Sequence, residues 1–155
     1  MDRINVLQLL TTSNIRGSEN LVINFIEKSN QKIFRNYLCT LHPKGALHEH
    51  AEKMNMLPLS LGTEFNFLLA GYRLYKLIKK YRIEIIHVYG FRTDIITRLT
   101  IPFTKVKVLI SAIHSVYENC HKIIFFVDKL FSPLVDLYIS NSNRGRLFYQ
   151  KNTQI

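Results

Sequence analysis

A chain of 155 residues, 47% of them hydrophobic, is long enough for one domain with its own core and too short for two ordinary ones. Its longest apolar runs, such as IIFFV at 123–127, fall far short of the roughly 20 residues that span a bilayer. The net charge of +10 and the pI near 9.8 call for an anionic partner, whether membrane surface, nucleic acid or phosphorylated ligand.

The opening segment carries an arginine and several leucines but no small-residue cleavage site, so it reads as a first strand, INVLQLL (Ile4–Leu10), rather than a signal peptide. SENLVINFIEKS (18–29) follows as a helix, with Leu21, Val22, Phe25 and Ile26 at helical spacing. NYLCTL (36–41) is a second strand, broken by HPKG, and ALHEHAEKM (46–54) is a short polar helix. LPLSL (57–61) is a brief third strand, and a long helix covers 64–82. IEIIHVYG (83–90) is the fourth strand, and TDIITRLTI (93–101) a helix that stops before Pro102. KVLISAIHS (107–115) is a β-branched fifth strand. KIIFFVDKLFSPLV (122–135) reads as a helix, DLYISNS (136–142) as a sixth strand, and the last segment begins another helix.

Strands separated by helices predict an α/β fold with a doubly wound, mostly parallel, Rossmann-like sheet and helices on both faces. In the order 3-2-1-4-5-6, strands 1 and 4 adjoin at the switch point, and ligands bind outside the carboxyl ends of the strands there. Three loops meet at that edge: Thr11–Phe25, His87–Asp94 and Ile113–Asn119.

In the first loop, Gly17 can let a phosphate approach the backbone N–H groups at a helix start, with Ser18 as the N-cap and Glu19 in the first turn. With one glycine, no G-x-G-x-x-G and no P-loop lysine, a plain capped turn is the competing reading. His114 and His87 each close a strand, with Tyr89 and Arg92 just beyond His87; each histidine reads either as a functional group or as a satisfied structural one. The HEH at His48–His50 has two histidines that do not share a helix face and no third ligand nearby, so no metal is expected. Cys39 and Cys120, far apart and without CxxC spacing, read as free thiols in a reducing compartment. No Ser-His-Asp arrangement or HExxH is present, and the absence of tryptophan and of basic–aromatic repeats argues against nucleic acid as the partner. On the third helix, Arg73, Lys76 and Lys80 share a face, reinforced by Lys79 and Arg82. The face is either solvated or a contact for an anionic membrane surface.

With these segments placed, the sequence resembles the N-terminal domain of a GT-B glycosyltransferase of family 4. RGSENLVINF (16–25) is similar to the family's Gly-Gly-Ala-Glu loop and helix start, and residues 74–99 to its helix, strand and D-(apolar)-(apolar)-H-x-H segment. VLISAIHS resembles the strand ending in His, and VDLYISNSNRGRLF the D-x-(apolar)-(apolar)-x-x-S strand. The resemblance covers nearly the whole chain. It implies that Arg16, Gly17 and Ser18 lie near the donor pyrophosphate, that His114 faces the donor sugar as the catalytic-side residue, and that His87, Tyr89 and Arg92 shape the acceptor site. Arg16 stands where the family has its first glycine, Glu84 replaces an Asp and Tyr89 a second His; Arg16 either obstructs the phosphate or supplies a cation to it.

The family's donor site, with its Glu-x7-Glu pattern, belongs to a C-terminal domain that the 155 residues do not contain. The expectation is therefore a single acceptor-side domain over residues 1–155. It would belong to a retaining enzyme with a nucleotide-diphosphate-sugar co-substrate, no cofactor, and a glycan or lipid-linked acceptor. Such a chain is inactive without its other half and cytoplasmic, at most peripheral at the membrane. The alternatives are a non-catalytic, basic, membrane-peripheral module of the same fold and a flavodoxin-like nucleotide binder.

Overall fold

Strand and helix alternate from end to end: β1 (Ile4–Leu10), α1 (Gly17–Lys28), β2 (Phe34–Thr40), α2 (Ala46–Lys53), β3 (Pro58–Ser60), α3 (Phe67–Tyr81), β4 (Ile85–Tyr89), α4 (Phe91–Thr100), β5 (Val108–Ile113), α5 (Lys122–Leu130), β6 (Leu137–Ser140) and α6 (Asn143–Thr153). These come from a computed structural model that describes residues 3–54, 56–113 and 122–153. The strands form one sheet in the order β3-β2-β1-β4-β5-β6, with every pairing parallel. This is the predicted doubly wound topology, with β1 and β4 side by side: Gln8 pairs with His87 and Leu10 with Tyr89.

Covered on both faces, β1 is buried from Val6 to Leu10, as a central parallel strand requires. Its odd positions, Leu7 and Leu9, pack with Ile86 and Val88 of β4 against Leu74 and Ile78 of α3 and Ile96 of α4. On the other face Leu10, Leu38 and Tyr89 pack against Val22, Ile23 and Ile26 of α1 and Leu47 and Ala51 of α2.

Three expectations are adjusted. The buried face of α1 is Val22, Ile23 and Ile26, whereas Leu21 and Phe25 are about half exposed at 52% and 51%; the helix is rotated so that Phe25 meets the sheet through an edge-to-face ring contact with His87 of β4. The fourth helix starts at Phe91, two residues early, because Gly90 turns the chain directly after the strand. The fifth helix ends at Leu130, and Ser132–Leu134 form a separate 3-10 turn, since Pro133 has no N–H with which to continue an α-helix. At the end of α3 the chain reverses through Arg82 in the left-handed region (φ 49°), where glycine is the usual occupant. No described helix is long and apolar enough to cross a membrane.

The half of the sheet beyond β4 is organised by a buried ion cluster that the sequence analysis did not single out. Arg98 on α4 has no solvent exposure. Its Nε and Nη2 donate to the two carboxylate oxygens of Asp94, one turn back, at 3.0 and 2.5 Å. Its Nη1 donates to the Asp128 side chain on α5 and, at 3.0 Å, to the Asp128 carbonyl. Ser111 of β5 donates to Asp94 at 2.7 Å, Tyr149 of α6 donates to Asp128, and the guanidinium lies over the Tyr138 ring of β6. One arginine therefore ties α4, β5, α5, β6 and α6 together.

Burial holds the Asp94 carboxyl above its usual range, with Arg98 and Ser111 pulling it back. Between the unfolded and the native pKa of Asp94 the native state holds the extra proton, so this group's contribution to stability falls as pH rises through that window. Removing the cation strands the carboxylates, at about 3–5 kcal/mol for a broken buried pair. Arg98→Met is therefore expected to lose about that much stability near pH 8. The deficit should narrow toward pH 5 as Asp94 takes up its proton. Urea unfolding followed by circular dichroism at both pH values measures it, and a deficit that does not change with pH would remove the electrostatic explanation.

Candidate functional site

At the carboxyl edge β1 and β4 part, and the crevice between them opens into a cleft of about 490 Å3. Thr11 and Thr12 line it from the end of β1, Arg16, Gly17 and Ser18 from the start of α1, and Tyr89 and Gly90 from the end of β4. Asn141, just past β6, completes it. The first loop is held in place by the neighbouring element: His42 N–H donates to the Thr11 carbonyl at 3.1 Å and Leu47 N–H to the Ser13 carbonyl at 2.9 Å.

Gly90 is the glycine this edge needs. Its φ of 108° suits glycine alone, and a Cβ there would sit 2.5 Å from Thr11 Oγ1. Thr11 Oγ1 donates to the Tyr89 carbonyl at 3.3 Å and Thr93 Oγ1 to the Gly90 carbonyl at 2.7 Å, closing the mouth of the crevice. Gly17 is different. A Cβ on it would meet nothing within 4 Å, so the fold makes no demand for glycine and the space beside it stays open.

Ser18 does not cap α1, contrary to expectation; Arg16 is the N-cap residue, in extended backbone. The capping acceptor is Glu19. Its carboxylate, 5% exposed, accepts from Thr12 Oγ1 at 2.9 Å, Arg16 N–H at 3.2 Å and Ser18 Oγ at 2.9 Å. A built-in anion thus occupies part of the positive helix end, while Arg16 remains exposed at the rim. The Gly17 and Ser18 N–H groups belong to the first turn, where a helix supplies no acceptor of its own.

His87 and Tyr89 lie on β4 itself, not in the loop after it, and both are buried under α1 at 8% and 7% exposure. Tyr89 Oη donates to Gln8 Oε1 at 2.9 Å and sits 2.8 Å from His87 Nδ1, while Gln8 Nε2 donates to Asn36 Oδ1 at 3.0 Å. With the phenol proton committed to Gln8, the His87–Tyr89 contact requires His87 Nδ1 to be the donor. Burial pushes the Tyr89 phenol well above its usual range, so it stays protonated. Tyr89 also lines the cleft, whereas His87 supports it from beneath. Arg92, on the first turn of α4, is exposed and lies over the Phe65 ring at 5.4 Å. His114 and Cys120 lie outside the described residues.

The other candidates separate from this edge. His48 is 2% exposed and fully used: Nδ1 accepts from Gly45 N–H at 3.1 Å, which leaves Nε2 to donate to the Leu59 carbonyl at 2.9 Å. It is structural, and among the described residues no group of three metal-binding side chains exists. Cys39 is buried with its thiol pushed far up by desolvation, and is inert. On α3, Arg73 donates to the Leu61 and Gly62 carbonyls at 2.6 and 3.2 Å, pinning the loop before the helix. Lys76 and Lys80 are exposed, each above a tyrosine ring.

No protein-family model matches this chain, and no curated protein resembles it closely in sequence. Its fold, however, recurs in solved structures. A glycosyltransferase from Rickettsia africae superposes with a TM-score of 0.81 at 17% identity, over 100% of this chain and 41% of that one. HepE of Anabaena in complex with UDP-glucose gives 0.78 at 13% identity, over 97% of this chain and 41% of that one. A putative UDP-N-acetylglucosamine 2-epimerase from Listeria monocytogenes gives 0.65 at 13% identity, over 97% and 42%. The chain thus has the fold of the N-terminal half of GT-B glycosyltransferases and spans about two-fifths of the length of these proteins.

Gly90→Ala is expected to destabilise the fold by about 1–3 kcal/mol, from the disallowed φ together with the Thr11 clash. Adding Thr11→Ala should recover part of that loss, because it removes the clash and leaves the φ strain. Thermal unfolding of the single and double variants measures both parts, and a fully tolerated Gly90→Ala would show that the crevice mouth can open without strain.

Proposed function

We propose that this chain is the acceptor-side half of a retaining glycosyltransferase that moves a sugar from a nucleotide-diphosphate sugar to a glycan or lipid-linked acceptor, working with a C-terminal donor-binding half. The observation that carries the reading is the cleft at the β1/β4 switch point, edged by Arg16 and the open side of Gly17, on a fold shared with a protein that binds UDP-glucose. In this reading Gly17 and Ser18 meet the donor pyrophosphate through first-turn N–H groups, and Arg16 adds a charge-assisted hydrogen bond. His114, next after β5, faces the donor sugar, Arg92 and Tyr89 line the acceptor side, and His87 orients Tyr89. The epimerase match shares the fold and a nucleotide sugar, so transfer to an acceptor is the step the experiment has to demonstrate.

Gly17 separates binding from folding, since its Cβ position is empty. In a form joined to a donor-binding half, Gly17→Ala should leave thermal stability unchanged or slightly raised, as alanine favours the helix. It should weaken nucleotide-sugar binding several-fold by calorimetry, and His114→Ala should lower turnover in a folded protein. Unchanged donor affinity in Gly17→Ala would take this loop out of the donor site.

Peripheral attachment to an anionic membrane through α3 belongs to the same proposal. Arg73 is held by backbone carbonyls, so the charge available there is chiefly that of Lys76 and Lys80, on the order of 1 kcal/mol each near an anionic surface. Lys76→Glu with Lys80→Glu should reduce co-sedimentation with anionic liposomes at low salt. Equal sedimentation of wild type and variant would leave the stripe as a solvated face.

A further inference from the structure

A concavity larger than the switch-point cleft lies at the opposite edge of the sheet, where strands begin rather than end. It is about 1220 Å3 in volume, and seven of the chain's 21 lysines and arginines line it against one of its 11 acids. Arg3 and Arg35 enter from the starts of β1 and β2, and Lys105 and Lys107 from the approach to β5. Lys79, Lys80 and Arg82 come from the end of α3. The single carboxylate, Glu84, is taken up by Lys107 at 2.6 Å, which also lowers its pKa. One wall is aromatic: Tyr37 and Tyr81 meet with ring centres 4.9 Å apart and planes tilted by 47°.

Lysines at the end of a helix answer the negative end of its dipole, and this accounts for Lys79 and Lys80. It does not account for Arg3, Arg35 and Lys105, which stand on other elements and converge on the same space. Nor does it account for Arg82, the only described non-glycine residue with positive φ, held where glycine would be unstrained. The Asn5 side chain donates to the Arg82 carbonyl at 3.2 Å, so the turn that presents this arginine is fixed to β1. Like charges gathered in one concavity repel each other, and a bound polyanion relieves that repulsion.

We infer that this amino-edge cleft is a second binding site, for a ligand carrying phosphate groups, separate from the switch-point cleft. Guanidinium and ammonium groups on several walls suit phosphate oxygens. Two sources share that chemistry. A soluble phosphorylated metabolite would sit wholly within the cleft. A lipid phosphate would place its chain in the apolar groove between α3 and α4, lined by Phe67, Leu68, Tyr72 and Leu99, which meets the cleft at Phe103, 75% exposed.

The test titrates the protein with inorganic pyrophosphate by calorimetry and, separately, with phosphatidylglycerol and phosphatidylcholine vesicles. Arg35→Glu with Lys105→Glu should weaken binding about tenfold or more. Lys44→Glu with Lys53→Glu, just before and at the end of the distant α2, should leave it unchanged. All these side chains are exposed, so circular dichroism should show intact folds. Pyrophosphate binding lost in the first variant supports a soluble ligand. Binding to phosphatidylglycerol vesicles alone, lost in the same variant, supports a lipid phosphate. The inference is overturned if neither probe binds, or if the α2 variant loses as much as the cleft variant.

Discussion

The parallel pairing of β1 with β4 is the constraint on which the rest depends. The two strands are distant in sequence, and the crossover through α3 brings them together so that their carboxyl ends emerge at one edge. The seam is closed along its length. Glu84 N–H donates to the Asn5 carbonyl at the lower end, Gln8 bonds Tyr89 in the middle, and Thr11 meets the Tyr89 carbonyl at the top. Gln8 has no solvent exposure, and a buried amide left unpaired costs about 1–3 kcal/mol. It finds both partners, Tyr89 and Asn36, only when β1, β2 and β4 are in the observed register. A polar residue inside an otherwise apolar strand thus favours one register over the slipped ones, and with it the geometry of the crevice above.

Arg98 does for the outer half of the sheet what Gln8 does for the seam, with charge instead of an amide. β5 still gives Leu109 to the α3–α4 core, but β6, at the sheet's edge, alternates between exposed and half-buried positions. Apolar burial there is limited, and the helices covering it are joined by ion pairs and by Tyr149. The two mechanisms respond differently to conditions. The seam rests on amide, hydroxyl and backbone hydrogen bonds, while the outer half answers to the protonation of Asp94.

Strand order, element types and the switch point were legible in the sequence because alternating periodicities and parallel connections leave few topologies open. The side-chain assignments were less so, and each for a physical reason. Periodicity placed Phe25 on the helix face but could not give the rotation that exposes it and buries Ile23. Ser18 has the right residue type for a cap, yet Glu19 reaches back to the Arg16 N–H and takes the role. Tyr89 fell within the predicted strand, but which side chains of a central strand a helix covers is a tertiary property, so its burial under α1 did not show. Arg98 was missed although Asp94 stands four residues before it on a recognisable helix; that spacing usually marks an exposed pair, and burial is a tertiary property. Gly90 carried a visible signal, a glycine between a strand and a helix, that Gly17 drew attention away from.

The net charge of +10 also changes meaning once it is placed. Among the described residues, the switch-point cleft holds one cation and one carboxylate, Arg16 and Glu19, so it is nearly neutral. The amino-edge cleft is strongly positive. A pyrophosphate entering the first meets a helix end whose capping position is already filled by Glu19, so Arg16 and two N–H groups are the main attraction there. On the proposed reading, most of the neutralising charge for a donor then comes from the other half of the enzyme, as in a site divided between two domains. On the inference of a second site the surplus charge serves the amino edge, and any electrostatic argument about partners has to name an edge of the sheet before it names a ligand.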